Sequence, residues 1–593
     1  MLMLLACTWI SDAEHVLRLQ RDTASVAVDS AAPTDDTGIH GDDTGCVPTD
    51  ELCNGLDDDC DGTFDEEAAD ATAWYTDDDG DGYGTGADPD IRSCADQPDH
   101  AERNGDCDDT EPSVNPDQIE ACHDGLDNDC DELVDGCGAG VFSLDKLVRV
   151  SGNATGARVG SAIAAGDVDQ DGMGDLLIGA EGYPAGQDNG AAAVVLGGTD
   201  PTTFDQSQLT VIQGDAASIG LGTAAVLSDV RGDAGADLLL GVPYGSNAST
   251  GAANGALLIF DGSTTTWSSP GLIGPIKRDQ VVYATALGDW LGTSATHIGR
   301  VDGNDKAHLA VGSPYLGDDF SGGACIFAPD GTEERTLDDA QSCWYGTGAD
   351  FAGYALGHAA DLDGDGEPAL LLGAVYATAA KSEDEVGGAY VIDPGLSGTH
   401  DRLADVAGAL LGTQEGEQAG NALSAGDLNG DGYSDLVVGA PGADDGAGRV
   451  YVVAGPTSQL GAELGGSSTF AMIEGAEAGG SLGFSVAADR DVTGDGLHDL
   501  VIGAPNVAFE DKSSGAVYAF MGPVSGVWTA DEAVGRFEGP DHGARLGYSV
   551  TSGVDIDADG RADVAMGAPT FESLGKSLGA AFVLPSSEVA SKP

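Results

Sequence analysis

The sequence is short of positive charge. It has 23 Lys+Arg against 101 Asp+Glu in 593 residues, so its net charge is 23 − 101 = −78. A chain of that sign is repelled at every phosphate of a nucleic acid and at an anionic membrane surface, which excludes both as broad electrostatic partners. Long apolar runs are also missing. The longest, Met1–Ile10, falls well below the roughly 20 residues that span a bilayer. No CxxC pair occurs, which weighs against zinc. The H-E-x-x-H pair, the P-loop and a G-x-S-x-G elbow leading into a helix are not found, so the familiar hydrolase and nucleotide signatures are lacking. Helical 3.6 periodicity is absent as well, which excludes an α-solenoid.

Glycine is abundant instead, 92 residues, about twice the usual share of roughly 7%. Apolar residues make up 41% of the chain, enough for a large core. Eight of the 11 cysteines lie between Cys46 and Cys137, a density that suits an oxidising compartment.

From about residue 140 the chain repeats itself. A small apolar strand leads into an Asp-rich loop, then a second apolar strand, then Gly with a small residue. The loops begin at Asp167, Asp229, Arg300, Asp361, Asp427, Asp491 and Asp555, 61 to 71 residues apart. Each period holds about four strand-like segments; in the sixth they are 484–488, 499–503, 516–520 and 534–538. Four short strands per unit in seven units predict an all-β, seven-bladed β-propeller over residues 138–593. The phase predicts closure. The last repeat ends on a third strand, 580–584, and residues 146–150 before the first repeat supply the missing fourth; pairing them removes two open edges.

These units resemble the FG-GAP repeats of the integrin α-subunit N-terminal propeller, also found in bacterial surface proteins. Gly483-Phe484-Ser485 and Gly547-Tyr548-Ser549 match the first half of the motif. Gly439-Ala440-Pro441, Gly503-Ala504-Pro505 and Gly567-Ala568-Pro569 match the second. The resemblance implies a rigid recognition disc.

The loops carry the metal chemistry. Asp167, Asp169, Asp171 and Asp175 stand at positions 1, 3, 5 and 9 of a turn with Gly172 at position 6. Oxygen-only ligation by converging carboxylates indicates Ca²⁺. Asp427, Asn429, Asp431 and Asp435 repeat the pattern, as do Asp555, Asp557, Asp559 and Asp563, and Asp491, Thr493, Asp495 and Asp499. The fourth loop keeps Asp361, Asp363 and Asp365 but ends in Pro368-Ala369. The second puts Arg231 at position 3 between Asp229 and Asp233, and the third has Arg300, Asp302, Asn304 and His308; neither is expected to hold metal. Arg231-Gly232-Asp233 spells an integrin-ligand tripeptide, but its place in a decayed loop makes adhesion through it the weaker reading. His297, His308, His358 and His498 fall in repeat register and are expected to be structural.

Residues 46–137 are rich in Asp and Cys. Cys53–Gly62 recurs with one extra residue at Cys122–Asp131, and the segment resembles Asp/Cys-rich metal-binding repeats of the MopE type. Asp57, Asp59, Asp61 and Asp65 again space as 1, 3, 5, 9, as do Asp127, Asp129, Asp131 and Asp135; Asp77, Asp79 and Asp81 form a shorter set. So little core needs staples: calcium, and disulfides expected at Cys53–Cys60, Cys94–Cys107, Cys122–Cys130 and Cys46–Cys137. The alternative is an unstructured acidic spacer. In the propeller, Cys325 and Cys343 fall on adjacent antiparallel strands and are expected to pair.

Residues 8–45 read as an acidic tether. Leu4-Leu5-Ala6-Cys7 resembles a bacterial lipobox, which implies lipidation at Cys7 and a place in the cell envelope or outside the cell, residues 1–7 being the remnant of a signal. The alternative is a lone cysteine after a short apolar stretch. The expected function is calcium-dependent recognition of a protein or glycan at a surface, without catalysis. The alternatives are a propeller-based hydrolase or lyase and a purely structural spacer. An exposed aromatic cluster on one face of the disc would favour recognition.

Overall fold

Short runs of small and β-branched residues, cut by Gly- and Asp-rich turns, leave the backbone only sheet pairing to satisfy its polar groups. The result in the computed structural model is an all-β chain. It describes residues 48–586 except 117–129, 131–139, 200–206, 247–253, 300–307, 379–383, 394–400, 403–408, 456–462 and shorter gaps. Cys7, Cys46, Cys122, Cys137, Asp57, Asp61, Asp127, Asp129, Asp131, Asp135, Asp233, Asp302, Asn304, Asp363, Asp365 and Asp557 therefore lie outside the described residues. Two compact units divide between Asn104 and Gly105, inside the Asp/Cys-rich segment.

The first unit has a three-stranded antiparallel sheet, Thr72–Thr76 flanked by Ile91–Ser93 and His100–Ala101. Its core is small, with Trp74, Ala68, Ala71 and Ala101 buried. Here the disulfide expectations are corrected. Cys53 bonds Cys94 rather than Cys60, and Cys107 bonds Cys130 rather than Cys94, leaving no Cys122–Cys130 bond. Strand pairing explains the first: Ser93 sits opposite Thr72, and the adjacent Cys94 Sγ reaches to 3.5 Å from the Asp65 carbonyl. Cys60 is bonded to a cysteine outside the described residues. The sequence motif groups cysteines by proximity along the chain, whereas the sheet brings distant ones together.

Among the described residues the second unit contains seven sheets built on four antiparallel strands each, beside two two-stranded hairpins, Ala508–Phe509 with Lys512–Ser513 and Glu572–Ser573 with Lys576–Ser577. The fifth comprises Ala422–Gly426, Asp435–Ala440, Arg449–Val453 and Thr469–Glu474. Its second strand is wholly buried, as are Asp175–Ala180, Asp237–Val242, His308–Ser313, Ala369–Ala374, Leu500–Ala504 and Asp563–Ala568. Such strands are covered on both faces by neighbouring sheets, hence their unbroken apolar runs. Val437, Val450 and Ile473 of the fifth sheet pack on Leu500, Ile502 and Tyr518 of the sixth.

The closest approach between sheets explains the motif's glycines. A Cβ on Gly439 would lie 2.1 Å from the carbonyl oxygen of Gly483 in the next sheet, a backbone atom with nowhere to go. The Gly483 N–H donates to the Gly503 carbonyl at 3.1 Å. The same contact recurs at Gly179, Gly241, Gly312, Gly373 and Gly503, and Gly567 of the seventh sheet makes it with Gly160 of the first. Contacts thus pass from each sheet to the next and from the last to the first. Val148–Ser151 pairs antiparallel with Ala580–Leu584 as the outer strand of the seventh sheet, and Val150 and Val583 pack with Ile178 and Val211 of the first.

A fifth strand on most outer edges was not expected from the repeat pattern. Gly271–Ile273, Glu334–Thr336, Asp401–Arg402 and Gly526–Thr529, each from the connection before the following sheet's outer strand, pair in parallel with the preceding outer strand. Gly140–Phe142 does the same for the sixth sheet. These covers blunt edges that would otherwise template aggregation.

Candidate metal loops and an aromatic cavity

Each Asp loop joins the innermost strand of a sheet to the second. The position-1 carboxylate holds the turn together. Asp427 accepts from the N–H groups of Gly430, Asp431 and Gly432 at 2.7, 3.1 and 2.9 Å. Asp167, Asp491 and Asp555 do likewise. The position-5 carboxylates of Asp171, Asp431, Asp495 and Asp559 each accept from the residue two further on. Asp77 and Asp81 repeat this register in the first unit, so one turn design serves both units. The turn needs positive φ at position 4 as well as position 6, at Gln170 (62°) and Ala558 (63°) as much as at Gly430 and Gly494. The sequence reading saw only the Gly at position 6.

The position-9 aspartates lie deepest. Asp435 is fully buried, accepting from Leu428 N–H at 3.0 Å and Gly455 N–H at 3.1 Å. Burial pushes its pKa up to about 7, partly offset by those N–H bonds, and Asp175 is pushed to about 6 for the same reason. Asp499 is raised too, and Asp563 has the same two-bond anchorage. In the first loop, oxygens of Asp167, Asp169 and Asp175 come within 4.8 Å of one another, as do those of Asp77, Asp79 and Asp81. Crowded, partly dehydrated carboxylates with only oxygen donors fit a hard divalent cation. The loops are also linked. Position-8 N–H groups donate to the position-1 carbonyl of the preceding loop: Ala236 to Asp167, Ser434 to Asp361, His498 to Asp427 and Gly174 to Asp555.

The second loop supplies its own cation. Arg231 Nη1 lies 2.5 Å from Asp261 Oδ2, and its Nε 3.7 Å from Asp237 Oδ1 at position 9. The guanidinium is turned inward, so Arg231 is not displayed as part of an adhesion tripeptide. Arg231→Ala leaves buried carboxylates uncompensated and is expected to cost about 3 kcal/mol, read as a lowered urea midpoint that calcium does not restore.

His297 and His358, on the inner strands of the third and fourth sheets, stack with ring centroids 4.1 Å apart. Burial, then His358 and Arg490, lower the pKa of His297 to about 3; His358 is also lowered by burial, against the pull of Asp489. Below the unfolded value of about 6.5 the unfolded chain takes a proton that the folded chain refuses. Stability is therefore lost as pH falls from 6.5 towards 3, by about 1.4 kcal/mol per pH unit for His297. His297→Gln should remove that slope in melts between pH 7 and 4. His498 acts structurally, its Nδ1 accepting from Asp427 N–H at 3.1 Å. Cys325 and Cys343 face each other across the third sheet, bonded with Cα atoms 4.1 Å apart.

At the end of the inner strands away from the Asp loops lies a cavity of about 790 Å³, lined from all seven sheets. Its wall carries Tyr244, Trp290, Tyr315, Phe351, Tyr354, Tyr376, Phe484 and Tyr548. Arg158, Trp290, Phe351, Gln418, Ser481 and Arg545 hold left-handed backbone (φ 54–61°) at one repeat position, with Gly220 (81°) at the same place in the second repeat, so this conformation belongs to the turn that opens every repeat. This site was missed. Its signal was the residues flanking the Val-Gly, Leu-Gly or Ala-Gly pair that opens each repeat, together with the tyrosine after the second strand in repeats two to four.

The FG-GAP repeat family matches residues 159–195, 419–453, 482–520 and 546–584, in the sheets whose Asp loops are complete. The chain carries FG-GAP repeats. The metal-binding motif of the MopE type matches 49–66 and 106–136. Among similar proteins, integrin alpha-4 of Xenopus laevis is 36% identical over 166 residues, 26% of this chain and 15% of that protein. Integrin alpha pat-2 of Caenorhabditis briggsae is 28% identical over 234 residues, 37% and 18% respectively. A phosphatidylinositol-glycan-specific phospholipase D of Bos taurus is 34% identical over 170 residues, 27% and 20%. The FG-GAP chain thus spans at most about a fifth of these relatives. Among its described residues no helix is long and apolar enough to cross a membrane.

Proposed function

We propose that this FG-GAP chain is a calcium-dependent recognition protein of the cell surface or extracellular space, gripping a protein or glycan ligand in the aromatic cavity. One observation carries the reading: all seven sheets send side chains into a single aromatic-lined cavity, the arrangement of a preformed ligand site. The integrin relatives point the same way. Calcium at the Asp loops stiffens the disc that positions the cavity, and a lipid at Cys7 would tether it to the envelope.

The phospholipase relative favours a hydrolase. Gly479–Gly483 and Gly575–Gly579 do have G-x-S-x-G spacing, yet the first lies in a turn between strands and the second holds its serine in the short hairpin strand Lys576–Ser577, whereas a nucleophile elbow leads from strand to helix. The cavity's one acid, Glu181, is engaged by Arg158 at 2.6 Å. Recognition is therefore preferred. Arrays of glycans and extracellular proteins probed with the full calcium-loaded chain test it. Specific capture weakened by Trp290→Ala supports the reading, and turnover of an ester or phosphodiester without stable capture overturns it.

A further inference from the structure

We infer that the aromatic cavity takes a neutral oligosaccharide. The inference rests on the recognition reading and narrows it to one ligand class. Four successive ring contacts form an arc over the second to fourth sheets: Tyr244 to Trp290 (5.0 Å), Trp290 to Tyr315 (4.2 Å), Tyr315 to Phe351 (4.9 Å) and Phe351 to Tyr376 (5.1 Å). Tyr244 is 42% exposed and Tyr354 39%. Such rings offer an apolar face with a polar tip, and a pyranose offers the complement, a C–H face edged with hydroxyls. Thr223, Thr293, Gln418 and Asn421 on the same wall add neutral donors and acceptors. A purely apolar ligand would strip water from these groups without replacing its hydrogen bonds.

Charge selects against ionic ligands. Of the lining residues, the basic and acidic side chains are Arg158 and Glu181, and they are paired with each other. A cation entering the cavity would meet the Arg158 guanidinium and a carboxylate already engaged by it. An anion would meet an arginine already neutralised by Glu181. The acidic loops do not alter this balance. They stand at the far end of inner strands such as Val159–Gly166, about 25 Å away at the rise of an extended strand, beyond a Debye length of about 8 Å. The cavity volume of 790 Å³ sits within the roughly 300–1,000 Å³ of small-ligand sites, so it suits a short oligosaccharide or a chain end.

The test uses the full calcium-loaded chain on an array of neutral, sialylated and sulfated glycans, followed by calorimetric titration with the best neutral oligosaccharide and with a basic peptide. Expected are binding to neutral glycans, near-constant affinity from low to high salt, and a loss of about tenfold or more in Trp290→Ala at an unchanged unfolding midpoint. Tyr244→Phe, which removes only a hydroxyl, keeps the inference testable if Trp290→Ala destabilises the disc; a weakened affinity is expected. Binding confined to charged glycans or to the basic peptide, and falling steeply with salt, overturns the neutral-sugar assignment while leaving recognition at the cavity intact. Binding of any class that is indifferent to both substitutions overturns the cavity as the site as well.

Discussion

Removing calcium with excess chelator is expected to lower the unfolding midpoint of the whole chain, because the four complete Asp loops each hold like charges together at an inner hairpin. Asp167, Asp169 and Asp175 bring oxygens within 4.8 Å of one another, and Asp435 is buried with its pKa pushed up to about 7. A bound cation turns that repulsion into attraction. Extracellular sites bind calcium at about 10⁻⁴–10⁻³ M, so at millimolar calcium each contributes about 0.4–1.4 kcal/mol. The four complete propeller loops then contribute about 2–6 kcal/mol, a large part of a domain's net stability. The effect should exceed that of independent sites, because backbone bonds such as His498 N–H to the Asp427 carbonyl tie one loop to the next. Asp427→Ala with Asp431→Ala should lower the midpoint in calcium and shrink its response to chelator. Asp229→Ala, in the loop where Arg231 already supplies the positive charge, should leave that response intact. Thermal melts of the three proteins with and without calcium decide it, and an unchanged midpoint in chelator would sink the calcium assignment.

The propeller was legible because its determinants are local and recur. An Asp loop followed by an unbroken apolar strand and Gly appears at each turn of the repeat, and the outer strand closing the seventh sheet followed from phase alone. What stayed hidden depends on contacts between segments far apart in sequence. Cys53 meets Cys94 through two distant links, its N–H donating to Asp70 at 2.7 Å and Ser93 pairing with Thr72. Glu51, whose carboxylate gathers the N–H groups of Asp58, Asp59 and Asp65 at 3.0, 3.0 and 2.8 Å, reads in sequence as one more surface acid. The cavity is the clearest case. Trp290 and Tyr315 stand 25 positions apart with unremarkable neighbours, and only the antiparallel pairing of Ser294–Gly299 with His308–Ser313 in the third sheet brings their rings to 4.2 Å.

Gly567→Ala is expected to be among the most damaging single changes in the chain, on the order of 4 kcal/mol or more, although it adds one methyl group. That methyl would lie 2.1 Å from the Gly160 carbonyl oxygen. Relief requires the seventh and first sheets to separate, since the obstructing atom is backbone and the Gly547 N–H is bonded to the Gly567 carbonyl at 3.0 Å. Separation would expose Val150, Ile178, Val211 and Val583, which are buried together at this joint, at about 25 cal/mol per Å² of apolar surface. Gly439→Ala meets the same obstruction, 2.1 Å from the Gly483 carbonyl, at a joint between sheets consecutive in sequence, whereas the nearest backbone to a methyl on Gly357 is 3.2 Å away. In a closed ring, Gly567→Ala and Gly439→Ala should therefore cost about the same, and Gly357→Ala within about 1 kcal/mol of nothing. In an open chain of sheets the Gly567–Gly160 contact would not exist, and Gly567→Ala would be tolerated while Gly439→Ala was not. Denaturant unfolding of the three variants in calcium separates the two cases, and tolerance at Gly567 alone would rule out closure of the ring.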